Sequence, residues 1–363
     1  KSVVSLSSTE ILCDGESFLN FSSNDYLGLS QHPLLKERAI EYIQRYGVGS
    51  GASRLLSGNN GIYESIEKRL AELKDAQAAL IFSSGYQLNA TVLPALAGIA
   101  GHFLCDRFVH NSLLTGALAS KASFHRFQHN NCLDLEQRLA KLTGRETGGW
   151  IVSESVFGMN GDLANLDQLE RLSMHSGFPL FIDEAHATGV FGETGMGLVK
   201  AGRDERVIMG TFGKGCGSFG AYLACTEKLK SYLVNFCSGF IYTTALPPPV
   251  LGTIAAALEI IPGMYRERQY LHQLAENTRI RLKELGFDVG NSASQIIPII
   301  VGTDANAVSL SEWLYGNQIF APAIRPPTVP EGTARLRLSL SSSHREADID
   351  KLINTLKQWQ HQE

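Results

Sequence analysis

The chain has no C-x-x-C pair: its six cysteines, at 13, 105, 132, 216, 225 and 237, are scattered through 363 residues. That spacing argues against a zinc ribbon, a dithiol redox motif and a secreted disulfide framework, and it fits a reducing cytoplasm. No apolar run approaches the roughly 18–20 residues of a membrane-spanning helix. The N-terminus is not a charged segment leading into an apolar one, so no secretory leader is read there. A charge excess is missing too. The formal net charge of -4 gives no general attraction to nucleic acid or to an anionic membrane, which points to small molecules or another protein as partners. Internal repeats and low-complexity tracts are also absent.

What is present is an ordinary globular composition, 44% hydrophobic and 19% charged, with length enough for two domains. Between about residues 62 and 225, segments of helical period ("IYESIEKRLAEL", "LDLEQRLAKL", "NLDQLERLSMHSG") alternate with short apolar runs ("AALIF", "HFLCD", "GWIVSESV", "PLFIDEA", "RVIMGTF", "GAYLAC"). This alternation predicts an α/β fold: a mostly parallel central sheet flanked by helices on both faces. Ligands in such folds sit beyond the carboxyl ends of the strands, here after Phe82, Asp106, Glu154, Asp183 and Thr211. Three prolines in "TTALPPPV" (243–250) stop regular structure before a long helical stretch, Leu251 to Glu284. They suggest an N-terminal segment 1–45, a large α/β domain 46–250 and a smaller α+β domain 251–363.

"DEAH" (183–186) spells the second ATPase box of a helicase family, but no G-x-x-x-x-G-K-[ST] precedes it and Lys214 is followed by Gly215, not a hydroxyl. In "FIDEAHATGVFGETGMG" an apolar strand ends in Asp183, with His186 three residues on. Either a surface turn or an anion facing a cationic ring nitrogen would suit that position. "IFSSGYQLNA" runs a strand into Ser-Ser-Gly and then a helical segment; it reads as a serine-capped turn or as an anion site on helix N–H groups. His110, in "FLCDRFVHNSLLTGA", follows another strand end. "HRFQH" (125–129) has i,i+4 spacing for a metal but no third ligand near it, and a solvated helical or loop face is the better reading.

"VIMGTFGKGCGSFGAYLAC" places Lys214 among Gly210, Gly213, Gly215 and Gly217 directly after a strand. A solvated loop lysine needs no such company. An amine nucleophile, an acidic partner for a pyridinium nitrogen and an anion site for a phosphate are what pyridoxal phosphate requires. Lys214, Asp183 and the Gly85–Tyr86 turn with the Thr211 hydroxyl offer all three, and the flanking glycines would let the loop pass close to a flat ring.

At these residues the chain resembles the α-oxoamine synthases, a group of fold type I pyridoxal-phosphate transferases. Eight motifs occur in family order: "LNFSSNDYLGLSQHP", "GVGSGASRLLSGNN", "IFSSGYQLN", "ESVFGMNGD", "FIDEAHATGVFGETGMG", "GTFGKGCGSFGA", "FIYTTALPPP" and "IRPPTVPEGTARLRLSLSSSH". Within the family the motifs are most similar to those of the 8-amino-7-oxononanoate synthases of biotin biosynthesis. The resemblance implies a decarboxylating condensation of L-alanine with a pimeloyl thioester, presented by CoA or acyl carrier protein, in a cytoplasmic homodimer whose active sites lie at the subunit interface. It also implies roles. Lys214 carries the cofactor as an imine and moves the α-proton, Asp183 pairs with the ring nitrogen, His186 bonds the phenolic oxygen and His110 stacks on the ring. Gly85, Tyr86 and Thr211 hold the phosphate, and Thr243 or Thr244 reaches the phosphate of the neighbouring subunit. Arg325 binds a carboxylate, with Thr328 in the same loop and Asn24 also on the substrate side. Gly158 stands where the family commonly has a serine, so no contact is carried to it; a substrate-side arginine of the family is expected upstream of Lys1. A sister enzyme taking glycine or serine with another acyl-CoA, and a non-catalytic cofactor-binding module, are the rival readings.

Overall fold

The computed structural model describes residues 2–142, 148–202 and 206–360. Strands β1 (Val3–Ser5), β2 (Glu10–Cys13) and β3 (Glu16–Asn20) lead into α1 (Pro33–Tyr46) and α2 (Ile62–Leu73). The next stretch runs β4 (Ala78–Phe82), α3 (Gly85–Leu96), β5 (His102–Asp106), α4 (Asn111–Ala119), β6 (Ser123–Phe127), α5 (Cys132–Leu142), β7 (Gly149–Glu154), α6 (Leu166–Ser176), β8 (Leu180–Asp183), β9 (Val207–Thr211) and β10 (Ala221–Cys225). Helices α7 (Glu227–Phe236), α8 (Ser238–Ile241), α9 (Pro248–Ile260) and α10 (Tyr265–Glu284) follow, then β11 (Ile296–Gly302), α11 (Asp304–Gly316), β12 (Ile319–Phe320), β13 (Ala323–Ile324), β14 (Ala334–Ser339) and α12 (Glu346–Gln360).

The chain divides into two compact units, Pro33–Phe157 with Ala164–Gly263, and Lys1–His32 with Gly158–Leu163 and Met264–Glu363. In the larger unit seven strands form one sheet in the order β4-β10-β9-β8-β7-β5-β6. Strands β5 to β9 pair in parallel, and β10 runs antiparallel to both β4 and β9. The period-2 alternation of strands explains its two cores. Phe103, Cys105, Val152, Phe181, Val207, Met209 and Leu223 face helices α3, α4 and α7 through Leu88, Val92, Leu113 and Leu233. Leu104, Ile151, Ile182, Ile208 and Ala224 point the other way, to Leu135, Leu139 and Leu169 of α5 and α6.

"HRFQH" is not a helical face: its first three residues are strand and its last two lie in the turn that follows. His125, Arg126 and Phe127 form the end of β6, paired in parallel with β5, and alternate strand positions point to opposite faces. His125 Nε2 lies 3.3 Å from His102 Nδ1, while His129 turns to Asp106 with its Nδ1 2.9 Å from the carboxylate.

The expected divisions at 45 and 250 both fall within helices. Pro248 occupies the first turn of α9, where a locked φ and a missing N–H are tolerated, so the proline run starts a helix instead of ending a domain. Helix α9 packs on α1, and Gly252 makes this possible: a Cβ there would stand 2.7 Å from the Arg38 carbonyl oxygen. The long helical stretch breaks at Ile261–Gly263, where the two units divide.

The smaller unit holds two sheets. One is ordered β1-β2-β3-β12, with β12 parallel to β3, and the other β11-β14-β13. Its segment Gly158–Leu163 is held from β14: Arg337 Nε donates to the Gly158 carbonyl and Arg335 to Asn160 Oδ1 at 2.8 Å. His344 closes this unit's interior. Its Nδ1 accepts from Ser341 N (3.0 Å), its Nε2 faces the Asn20 carbonyl oxygen (3.1 Å), and its ring stacks on Phe21 at 4.6 Å. Burial pushes His344 down from an ordinary 6.5 to about 4. As pH falls the unfolded chain takes this proton first, so the imidazole's contribution is intact above the unfolded value and drains away as pH drops toward the folded one. Between about pH 7.5 and pH 5 the wild type should lose about 2 kcal/mol through this residue alone. His344→Gln, which cannot titrate, should shed that part of the pH dependence in urea unfolding; an unchanged slope would exclude His344 as its source.

Candidate active site

The parallel strands deliver their polar residues to one edge of the sheet. Glu154 at the end of β7 pairs in register with Asp183 at the end of β8, and Asp183 with Met209 on β9. Helix α3 starts beside them. Ser84 caps it by accepting from Gln87 N at 3.1 Å, which leaves the N–H groups of Gly85 and Tyr86 ahead of the helical hydrogen-bond ladder. Together these ends line a cavity of about 190 Å³ formed by Gly85, Tyr86, Asn89, His110, Ser112, Glu154, Asp183, Ala185, His186, Met209, Thr211 and Lys214. Seven residues singled out in the sequence meet here: Gly85, Tyr86, His110, Asp183, His186, Thr211 and Lys214.

Lys214 Nζ stands 2.7 Å from His186 Nε2. Asp183 is buried and aligned at both oxygens, Oδ1 accepting from Ala185 N and Oδ2 from Asn89 Nδ2, each at 2.8 Å. Asn89 also donates to Ser112 Oγ at 3.0 Å, and that hydroxyl lies 2.7 Å from His110 Nδ1. Ser112 N donates to the same nitrogen at 3.2 Å, so Nδ1 is an acceptor and His110 caps α4. Burial pushes His110 below its ordinary value; the Asp183 carboxylate opposes this and the Lys214 ammonium adds to it. Glu154 accepts from His110 N and fixes the entry to the helix.

Asn89, Ser112 and Glu154 were not foreseen. For Asn89 the signal was present: one polar side chain among Leu88, Val92 and Leu93 on a buried helix.

Two of the glycines around Lys214 are required by close packing within the protein. A Cβ at Gly215 would stand 2.6 Å from the Thr188 carbonyl oxygen and 3.1 Å from Gly189 Cα, and one at Gly210 would enter the Tyr222 ring at 2.4 Å. Gly213 has nothing nearer than 3.6 Å. The lysine loop therefore rests backbone to backbone on the turn after Asp183.

The remaining candidates lie elsewhere. Thr243 and Thr244 do not line this cavity; they border a smaller hollow with Arg54, Tyr63 and Phe240. Asn24, Arg325 and Thr328 belong to the smaller unit. There Asn24 Oδ1 accepts from Tyr26 (3.0 Å) and from Arg337 (3.3 and 3.2 Å), while the exposed Arg325 and Thr328 share a turn closed by Thr328 N to Arg325 O at 3.0 Å.

The donor set fits pyridoxal phosphate: an amine, a buried carboxylate, two imidazoles and a helix N-terminus converge on one cavity, and Asn89 Oδ1 is buried there with no partner among the described residues. Thr211 fits less simply. Its hydroxyl donates to the Gly220 carbonyl (2.9 Å) and accepts from Gly213 N (3.2 Å), so its proton is already engaged.

Residues 16–356 match the family model for aminotransferase class I and II. The 8-amino-7-oxononanoate synthase of Gluconacetobacter diazotrophicus is 46% identical over 351 residues, covering 95% of this chain and 88% of that one. The chain belongs to this family. Its fold is also shared with two solved enzymes. A serine palmitoyltransferase of S. paucimobilis with a bound pyridoxal phosphate–myriocin aldimine superposes with TM-score 0.93 at 26% identity, over 98% of this chain and 92% of that one. The 8-amino-7-oxononanoate synthase of Francisella tularensis gives TM-score 0.81 at 27% identity, over 95% and 98%. The chain is a fold type I transferase, as its motifs indicate.

The two glycines make a contrast. Gly215→Ala should destabilise by about 1–3 kcal/mol, because its methyl meets the Thr188 and Gly189 backbone. Gly213→Ala should melt within about 0.5 kcal/mol of wild type, as an unstrained surface change does. Equal melting temperatures for the two variants would refute the contact.

Proposed function

We propose that the protein catalyses the decarboxylating condensation of L-alanine with a pimeloyl thioester, on CoA or acyl carrier protein, to give 8-amino-7-oxononanoate, CO₂ and the free thiol. The observation that carries this reading is the Lys214 amine at 2.7 Å from His186, in one cavity with an Asp183 carboxylate aligned at both oxygens. When bound, pyridoxal phosphate supplies an electron sink for charge developing at the α-carbon of alanine. Lys214 would hold the cofactor through its amine and, when free, would take the α-proton at Nζ. Asp183 would hold the ring nitrogen and favour its charged form. His110, which burial pushes below its ordinary pKa, would stack on the ring, and His186 would bond its phenolic oxygen.

Gly85 and Tyr86 would hold the phosphate through their N–H groups; Thr211 would join them only by giving up its bond to Gly220. Arg325, Thr328 and Asn24 receive the substrate side, with a carboxylate on Arg325. The amide of Asn24, its oxygen occupied by Arg337 and Tyr26, has its NH₂ to donate.

The working form is a cytoplasmic homodimer in this reading. Thr243 and Thr244 lie off their own cavity, as residues serving the partner subunit's phosphate would. Beside them Tyr242 is 84% exposed, and the turn after Ser53, which bridges to Thr244, carries Leu56 at 78%, apolar surface that a second copy would cover. The six thiols are all unbridged, which supports a reducing compartment.

The test combines absorbance and turnover. Purified protein should take up pyridoxal phosphate with a visible band, and alanine should outpace glycine and serine with a pimeloyl thioester. Lys214→Ala should lose the band and at least about 10²-fold of the turnover. A variant keeping both would remove Lys214 from the chemistry, preference for serine or glycine would favour a sister enzyme, and a colourless wild type would leave only a binding module.

A further inference from the structure

Next to Asp183 stands a residue that the proposed reaction does not use. Glu184 is completely buried and forms an ion pair with the equally buried Lys74, the residue after α2. Each polar atom of the pair is placed. Lys74 Nζ donates to Glu184 Oε2, to the Met196 carbonyl (2.7 Å) and to the Val199 carbonyl (2.6 Å), which accounts for all three ammonium protons. Glu184 Oε1 accepts from Leu198 N (2.7 Å) and Val199 N (3.0 Å). Gly197, at φ +105°, leaves room for the carboxylate: a Cβ there would lie 2.2 Å from Oε2.

The backbone of Glu184 holds the rest of the turn. Its carbonyl accepts from Ala187 N (3.0 Å), Thr188 N (2.8 Å) and Thr188 Oγ1 (3.0 Å), and its own N–H donates to Met209 O at 2.8 Å. His186 sits in the middle of this turn. Thr188 and Gly189 at its end are the atoms on which Gly215 rests, one residue from Lys214.

We propose that the Lys74–Glu184 pair is a positioning device: by clamping 184–199 it sets where the Lys214 loop lies and holds the Lys214 amine against His186. Two charges withdrawn from water are a poor source of stability compared with apolar residues of similar shape, but a pair with every hydrogen bond satisfied admits only one arrangement. The role rests on the reading that Lys214 carries the chemistry, whereas the clamp itself can be tested without cofactor.

Lys74→Met strands a buried carboxylate and should unfold readily. Adding Glu184→Gln removes the charge, keeps an acceptor for Leu198 N and Val199 N, and offers an amide N–H to the carbonyls that Lys74 served. This double variant should regain wild-type melting to within a few degrees. In the cofactor-free protein, however, its amide exchange at Thr188–Gly189 and Gly213–Gly217 should rise about 10-fold, and its cofactor should dissociate about 10-fold faster. Wild-type exchange and cofactor retention in the double variant would reduce the pair to a stability element. Should the double variant not fold, the wild type decides: amides at 188–189 and 213–217 must share one opening free energy, and fast independent exchange of 213–217 overturns the proposal. A wild type that takes up no pyridoxal phosphate would defeat the functional reading while leaving the exchange result intact.

Discussion

A sheet buried on both faces has nowhere to keep polar side chains except its ends, and the rest of this molecule follows from that constraint. Ile151, Val152, Phe181, Ile182, Val207, Ile208 and Met209 fill both cores, so Glu154, Asp183 and Thr211 gather at the carboxyl edge. The parallel pairing of β5 to β9 puts those ends on the same side. Burial there is costly for a charge without partners. Asp183 has two aligned donors, and Glu184 beside it has a cation and two N–H groups.

The same edge carries both flexible and rigid chemistry. In the proposed reaction the Lys214 amine would need freedom along its four-carbon stem. The backbone beneath it needs none, and the contact of Gly215 with Thr188 and Gly189 removes it. The freedom that the proposal asks for thus falls to the Lys214 side chain and not to its loop. The histidines divide similarly: His110 is tied through Ser112 to the Asn89 amide, and His186 faces the amine itself.

Much of this could be read from the chain, for a physical reason. Asp183, His186, Lys214 and Gly85 lie at strand ends, and strand ends are marked locally by an apolar run that stops. Asn89 was readable only in part: one amide on an apolar helix announces a buried partner but does not say which strand brings it. Glu184 and Lys74 are 110 positions apart, and nothing in either neighbourhood indicates the other. Strand β6 escaped notice because "SFHRF" is a half-exposed edge, without the apolar run that marks its neighbours. The prolines at 247–249 misled because a proline that ends one element equally well begins another, and α9 begins there.

The smaller unit gathers stretches from both termini, and this has a consequence for the newborn chain. Strand β3 pairs with β12, Leu19 against Ile319, so 300 residues must be synthesised before that edge is covered. At about 5–20 residues per second a ribosome needs about 15–60 s to supply them. During that time the amino-terminal strands emerge first and wait longest, with a bare ladder of N–H and C=O groups open to any other extended chain. Glu16, exposed at the start of β3, puts one negative charge beside that edge.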